Sequence, residues 1–539
     1  MKKIFFWIPV LCFVGSVCAS PRTLRQARSL VPASRHVYTA LTSDGEPAFY
    51  VLNRENEKGF VIIAADNRAH TVLGYSDTGH WDETDLPDGL RTLLNDYTHE
   101  IAVAQDYSAL EAMDNVTKPY TPVAPFCSAL WGQSAPFNNL CPTYNGKNCK
   151  TGCVAIAASQ IMNVYRYPTQ GIGTNSYKWE AENKDSVTLS ADFGQTTYRW
   201  EDILDSYPDT ASAAQRNAIA TLVYHCGVAA NMDYGPSSSS AVSYEMVKSM
   251  IEHFGYDKGI GVLYKDYSPE EVLLDTIATE LKQGRPVYIS AKTVNKEGHA
   301  FVCDGMDADG LLHINWGWYG KSNGFYRISA FQPKTQGTGG AASGKAYTEQ
   351  MQFYFRIRPD AGGDYVTSLN CENIRISAPS YARNEKVVFY VDSLHNRGFS
   401  PWTGHLKLYI YKEDGAFYGT RSYSKSMSPL DVRKYRPKVT YNADFSSYPE
   451  GTYKVVIAAR SDDAPDAYIP VMRKGTGEWS CKMTIAGDSI YMTDPHIPAA
   501  VSLVKEEESS KVRKIITNGQ LYIIRNNERY TVQGIKVND

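Results

Sequence analysis

Thr151-Gly152-Cys153-Val154-Ala155-Ile156-Ala157-Ala158-Ser159-Gln160-Ile161-Met162-Asn163-Val164-Tyr165 is the stretch on which the reading of this chain turns. Val154, Ala157, Ala158, Ile161 and Val164 or Tyr165 fall on one helical face and Pro168 closes the run, so the pattern predicts a helix over Cys153 to Tyr165. A cysteine at the head of a helix sits among backbone N–H groups that lack intrahelical partners, where the helix dipole favours negative charge. Such a position lowers a thiol's pKa and raises its thiolate fraction. Gly152 lets a substrate backbone approach closely. The same residues also suit a small buried cysteine opening a core helix, and the local sequence does not separate the two.

A thiolate nucleophile needs an imidazole within hydrogen-bond reach, to form the ion pair and then to protonate the leaving amine. His299 is the candidate, opening the apolar run Gly298-His299-Ala300-Phe301-Val302 after the polar Asn295-Lys296-Glu297. A histidine satisfied inside the core is the alternative. Asp307-Ala308-Asp309-Gly310 reads as a turn, so Leu311 to Trp316 returns toward His299 as the second strand of a hairpin. Asn315 is then placed to hold the imidazole in one tautomer, with Trp316 and Trp318 shielding that bond from water. Those three residues equally suit a sheet edge and its core filling. Upstream, Trp131-Gly132-Gln133 offers an amide that, with the Cys153 backbone N–H, would form an oxyanion hole. A lone glutamine is more often solvated surface.

The order Gln, Cys, His, Asn is that of papain-like enzymes, whose catalytic groups meet in space and not in sequence. The chain resembles the streptopain family of bacterial cysteine peptidases in several segments. These are Thr151 to Ala155, Asp233-Tyr234-Gly235-Pro236-Ser237-Ser238, Gly298 to Val302, Asn315-Trp316-Gly317-Trp318 and the glycine-rich Gly337-Thr338-Gly339-Gly340. Gly59-Phe60-Val61-Ile62 with Leu73-Gly74-Tyr75-Ser76 resembles that family's inhibitory propeptide, and the likeness runs in order from about residue 40 to 358. The resemblance implies that Cys153 attacks the peptide carbonyl, that His299 is acid and base, and that Gln133 stabilises the oxyanion. It implies an orienting role for Asn315, shelter from Trp316 and Trp318, and a cleft lined by Ser237, Ser238 and Gly339. Two departures stand out: Cys141 and Cys149 between Gln133 and Cys153, and a long C-terminal extension.

The expected fold class is α+β: a papain-like catalytic domain, a small α+β inhibitory propeptide before it and an immunoglobulin-like β-sandwich after it. The boundaries read as a signal peptide over 1–19, propeptide over 20–118, peptidase over 119–358, sandwich over 360–490 and a tail over 491–539. The signal reading rests on Lys2 and Lys3 before the apolar Ile4 to Val17 and the small residues that follow. Lipidation at Cys18 is the weaker alternative, because Val17 is a poor residue before a lipidated cysteine. In the propeptide, Ala48 to Leu52 and Gly59 to Ala65 read as strands and Leu90 to Ala104 as a helix. Pro119, Pro122 and Pro125 form a join, with cleavage expected between Asn115 and Val123. Short alternating runs at Val387–Val391, Leu406–Tyr411 and Tyr453–Ala458 predict the sandwich. The tail, from Lys514 through Leu521-Tyr522-Ile523-Ile524 to Gly534, resembles sorting tails of Bacteroidetes proteins exported by type IX secretion.

The chain has 539 residues, too many for one core, with 55 basic and 58 acidic side chains for a net charge of −3. No basic field is present to attract nucleic acid. Its 38 tyrosines favour half-exposed β structure. Neither cysteines nor histidines fall at metal-ligand spacing, so no metal and no cofactor is expected. The expected partners are protein or peptide substrates, the chain's own propeptide as intramolecular inhibitor, and a cell surface engaged through the C-terminal region. The functional reading is a secreted or cell-surface cysteine endopeptidase made as a zymogen. Another thiol acyl-transfer enzyme, such as an amidase or transglutaminase, would use the same Cys and His. A surface adhesin with a vestigial peptidase domain is the third reading.

Overall fold

The computed structural model describes residues 20–106, 119–180, 186–292, 298–330, 351–422, 426–463, 468–475 and 480–493, and in the C-terminal unit 512–517, 520–525, 528–531 and 536–537. The signal segment, the expected cleavage stretch up to 118 and Gly339 lie outside the described residues.

Six helices are described: α1 (Leu24–Leu30), α2 (Asp88–Asp106), α3 (Cys153–Tyr165), α4 (Ala213–Ala229), α5 (Ser243–Phe254) and α6 (Glu270–Lys282). The first fourteen strands are β1 (Ser34–Leu41), β2 (Pro47–Arg54), β3 (Phe60–Ala64), β4 (Val72–Ser76), the hairpins β5 (Thr143–Tyr144) with β6 (Lys147–Asn148) and β7 (Thr174–Glu180) with β8 (Ser186–Asp192), then β9 (Gly261–Tyr264), β10 (Val287–Lys292), β11 (Gly298–Met306), β12 (Leu312–Asn315), β13 (Gly324–Tyr326) and β14 (Gln352–Phe355). The helix expected from Cys153 to Tyr165 has those bounds. α2 is longer than the helix expected over Leu90 to Ala104, beginning at Asp88 and ending at Asp106, and α1 was not among the expected elements.

One ten-stranded sheet runs β1-β2-β3-β4-β13-β12-β11-β10-β14-β9. Residues 20–106 therefore do not stand apart from the catalytic region: β4 pairs antiparallel with β13, Gly74 opposite Tyr326 and Tyr75 opposite Phe325. Sequence reading placed these strands in two separate units because strand partners are not encoded locally. β3 is buried at all five positions, as a strand covered on both faces must be. Val61 and Ile63 pack with Ala27 of α1, while Phe60 and Ile62 join Leu90, Leu93, Leu94, Tyr97 and Ile101 of α2.

The same alternation sorts β10 and β11 between two cores. Tyr288, Ala300 and Val302 pack with α3, α4 and α5. Val287, Ile289, Phe301 and Cys303 pack under α2 and α6. β11 and β12 form the expected hairpin, with Val302 opposite Asn315.

Beyond residue 360, two sheets enclose a core of their own, built from Val387, Phe389, Val391, Leu406, Leu408, Ile410, Val455 and Ile457. Trp402–Lys412 and Gly451–Ser461 pair in the larger sheet and Lys386–Asn396 and Tyr435–Asp444 in the smaller. This β-sandwich is docked on the catalytic region. Phe399 stacks on Tyr244 of α5 at 4.9 Å between ring centroids, the Tyr244 hydroxyl donates to the Gly398 carbonyl at 2.9 Å, and Arg433 pairs with Glu245 at 2.6 Å. Tyr267 donates to the Glu372 carboxylate at 2.6 Å. Residues 497–539 form a separate unit, in which Val512–Thr517, Gln520–Arg525, Glu528–Thr531 and Lys536–Val537 make a four-stranded antiparallel sheet.

Phe399 is 6% exposed and belongs to the catalytic core cluster, so Phe399→Ala is expected to cost about 3 kcal/mol, measured as a fall in the denaturation midpoint of the whole chain.

Candidate active site

Cys153 is the first residue of α3, and Gly152 caps the helix without a side-chain hydrogen bond. Gly152 sits at φ 80°, and a Cβ there would lie 2.7 Å from the Met232 sulfur and 3.2 Å from the Ser239 carbonyl oxygen. Only glycine meets both demands. The Cys153 Sγ lies against β11 on both sides of His299: it accepts the Ala300 N–H at 3.3 Å and stands 3.8 Å from the Gly298 carbonyl oxygen. His299 shares the strand phase of Phe301 and Cys303, whose side chains face the α2 side of the sheet.

Although Cys153 keeps part of its surface exposed, protein packed around the sulfur pushes its thiol pKa up. The N–H groups of Ala300, Val154 and Cys153 itself pull it down, and the Asp88 carboxylate pushes it up. The helix-terminus effect anticipated from sequence is present in direction, but burial outweighs it in this form. Asp88 belongs to the first turn of α2, which reaches this end of the site. A Cβ on Gly89 would lie 2.9 Å from the Trp316 ring and 3.1 Å from Phe301, so the first turn of α2 rests directly on Trp316. Trp318 donates its indole N–H to Asp85 at 3.3 Å, and Lys321 pairs with the same carboxylate.

Trp316 is buried against Phe301 at 4.7 Å between ring centroids and donates its indole N–H to the Ser322 carbonyl at 3.0 Å. Asn315 is fully buried. Its Oδ1 accepts from Gln160 at 3.0 Å and from the Gly317 N–H at 3.1 Å, and its Nδ2 donates to the Ala129 carbonyl at 2.8 Å and faces the Cys127 sulfur at 3.8 Å. That exhausts an amide's two donors and two lone pairs. In this form Asn315 braces the segment leading to Gln133 and has no bond left for an imidazole, because Gln160, one turn from the end of α3, reaches it first. Gln133 stands beside the nucleophile loop, its carbonyl accepting the Thr151 N–H at 3.3 Å. Ser237 and Ser238 are exposed. Their neighbour Ser239, not singled out by sequence, donates to the Lys150 carbonyl at 2.6 Å and accepts the Gly235 N–H at 3.0 Å. Tyr319, Asp85 and Asp88 also escaped sequence reading; only the adjacency of Tyr319 to Trp318 pointed toward it.

All eight described cysteines carry free thiols, and among the described residues no group of His, Cys, Asp and Glu has the arrangement of a metal site. No described helix is long and apolar enough to cross a membrane.

Comparison with known proteins gives this geometry a family. The sequence profile of the Peptidase C10 family matches residues 131–326, and that of the Spi protease inhibitor matches residues 20–101. Streptopain of Streptococcus pyogenes is 32% identical over 302 residues, which cover 53% of this chain and 75% of streptopain. The chain belongs to the Peptidase C10 family. It is a cysteine peptidase chain carrying an inhibitor-type propeptide. The thiol protease/hemagglutinin PrtT of Porphyromonas gingivalis is 32% identical over 338 residues, 60% of this chain but only 38% of PrtT. The prointerpain A fragment of Prevotella intermedia superposes with a TM-score of 0.52 at 28% identity, covering 60% of this chain and 98% of that fragment. The expected fold class thus holds for the peptidase and its propeptide.

The propeptide interface also holds a buried charge cluster. Lys265 pairs with Glu100 of α2 at 3.2 Å, and Glu100 also accepts from the Ala330 N–H at 2.6 Å and Ser329 at 3.0 Å. Burial pushes Asp96 of α2 up to about 8, with Lys265 pulling it down and Glu100 and Asp266 pushing it up. Burial likewise pushes Glu270 up to about 8, against Lys265 and Arg327. His70 is pushed down to about 3 by burial and by Arg327. The folded form therefore holds protons on Asp96 and Glu270 that an unfolded chain releases above its ordinary values of 3.8 and 4.5. Stability from these groups falls as pH rises toward about 8. His70 acts oppositely, but only below its ordinary value of 6.5. The melting temperature of the Cys153→Ala precursor should therefore fall between pH about 6.5 and about 8, and Asp96→Asn should flatten that slope.

Proposed function

We propose that this chain is an exported cysteine endopeptidase precursor in which Cys153 is the nucleophile, His299 the acid and base, and Gln133 with the Cys153 N–H the oxyanion hole. The observation that carries the reading is the placement of the Cys153 sulfur at the head of α3, against the backbone on either side of His299. The reaction requires the His299 imidazole, which in this form shares the strand phase that faces α2, to reach the sulfur once α2 has left. The thiolate adds to the peptide carbonyl carbon, and the carbonyl electron pair moves to oxygen, where the Gln133 amide and the Cys153 N–H receive it. Collapse expels the amine with a proton from His299, and water then hydrolyses the thioester with His299 as base. Trp316 and Trp318 shelter the histidine once α2 has left them, and the loop of Ser237 and Ser238 lines the cleft.

Latency has a physical basis in the same contacts. α2 occupies Trp316, Asp85 occupies Trp318, and burial pushes the Cys153 thiol pKa up. Removal of residues 20–118 would expose the sulfur and lower its pKa toward the value a helix terminus favours. Cleavage falls between Asn115 and Val123, and the Cys153 thiol of the same protein is its agent. The propeptide is thus the first partner of the site, and exported proteins or peptides are its substrates. Export rests on the N-terminal segment, and attachment at the cell surface on residues 491–539.

The test compares residues 20–539 with the same chain carrying Cys153→Ala, followed over time by gel and on casein, with and without E-64. The wild type is expected to shorten by the mass of residues 20–118 and digest casein, while the variant and the inhibited sample do neither. Equal behaviour of the two proteins would remove Cys153 from the role of nucleophile and favour a binding function. Iodoacetamide should also alkylate Cys153 at least about tenfold faster after processing than before. Equal rates would show that the N-terminal region does not mask the thiol.

A further inference from the structure

Tyr319 has a contorted backbone that nothing in its own burial explains. It lies at φ 57°, a left-handed conformation that a bulky aromatic rarely adopts and that persists only where the surroundings over-determine it. Its side chain is 41% exposed, so packing into a core does not offset the strain. Its ring meets the buried Phe137 at 6.1 Å between centroids, and three closer contacts run to one short segment. The Tyr319 N–H donates to the Trp131 carbonyl at 2.8 Å. Its phenol oxygen accepts the Ser134 N–H at 3.0 Å. Its ring lies against Gly132, where a Cβ would fall 2.2 Å from the Tyr319 Cζ.

Residues 131, 132 and 134 bracket Gln133. On the far side the same turn is tied to the nucleophile loop, by Lys150 donating to Ser134 Oγ at 2.6 Å and by the Thr151 N–H on the Gln133 carbonyl. Tyr319 follows β12, the hairpin partner of the strand that carries His299, so it joins the sheet half of the site to the helix half. Asn315 works in the same direction through Ala129.

We propose that Tyr319 is a positioning residue, which fixes residues 131–134 so that the Gln133 amide meets the oxyanion formed when Cys153 adds to a peptide carbonyl. The inference rests on the reading of Gln133 as an oxyanion donor given above. A donor displaced from its line weakens binding of the transition state and leaves ground-state binding and thiolate formation alone. The left-handed backbone aims the Tyr319 N–H and ring at the same short segment.

The experiment uses the full chain after activation, with Tyr319→Gly, Tyr319→Phe, Gln133→Ala and the Gln133→Ala/Tyr319→Gly double variant. Glycine keeps the left-handed backbone and its N–H; phenylalanine keeps the ring and loses only the acceptor for Ser134. Tyr319→Gly is expected to lower kcat on a peptide amide by about tenfold or more with KM within about twofold. The rate at which iodoacetamide alkylates Cys153 should stay unchanged, because that displacement develops no oxyanion. Tyr319→Phe should fall between wild type and Tyr319→Gly, and the double variant should be no slower than Gln133→Ala alone. An unchanged kcat in Tyr319→Gly beside a lowered kcat in Gln133→Ala overturns the proposal. So does an alkylation rate that falls together with kcat, which marks a merely structural role. An unchanged kcat in Gln133→Ala overturns the oxyanion reading itself, and the positioning role with it. Should Tyr319→Gly fail to fold, Tyr319→Phe decides by the same readouts.

Discussion

The pairing of β4 with β13 is the constraint on which the arrangement depends. It admits almost no side chain at two positions: a Cβ on Gly74 would lie 2.5 Å from the Tyr326 ring, and one on Gly324 would lie 2.3 Å from the Tyr75 carbonyl oxygen. Two glycines thus allow a strand of the propeptide to continue the catalytic sheet. Backbone pairing at that seam joins the two parts, together with the packing of α2 on β10, β11 and α6 and the Lys265–Glu100 pair.

Latency in this fold does not require a bond to the sulfur. The propeptide sets the Asp88 carboxylate near a thiol whose helix terminus favours the thiolate, and desolvation penalises the charged form more than the nearby N–H groups stabilise it. The same segment holds both tryptophans of the Asn315-Trp316-Gly317-Trp318 run through Gly89 and Asp85. The charge cluster of Asp96, Glu100, Lys265 and Glu270 sits on the propeptide interface, where burial disfavours the charged forms of Asp96 and Glu270.

The β-sandwich after residue 360 is fixed to the face of the catalytic region formed by α5 and β9. Phe399 packs among Tyr244 and Tyr354, and Tyr354 packs on Tyr288 at 5.7 Å between ring centroids. Tyr288 belongs to the core beneath α3. Whatever the sandwich engages is therefore held at a set orientation to the cleft, unlike a module on a free linker.

Sequence alone determined the helix from Cys153 to Tyr165, the hairpin after His299 and the order of the chemical residues. Those features are local: a 3.6-residue apolar period, a two-residue alternation and a turn of Asp and Gly are written within a few residues of where they act. The joining of residues 20–106 to the catalytic sheet was not legible, because β4 and β13 are some 250 residues apart and a strand carries no label for its partner. Nor could sequence show that Asn315 is bound to Gln160 and Ala129, or that Tyr319 brackets Gln133. Both depend on which amide or ring arrives first in a crowded space, and only the packed tertiary structure decides that.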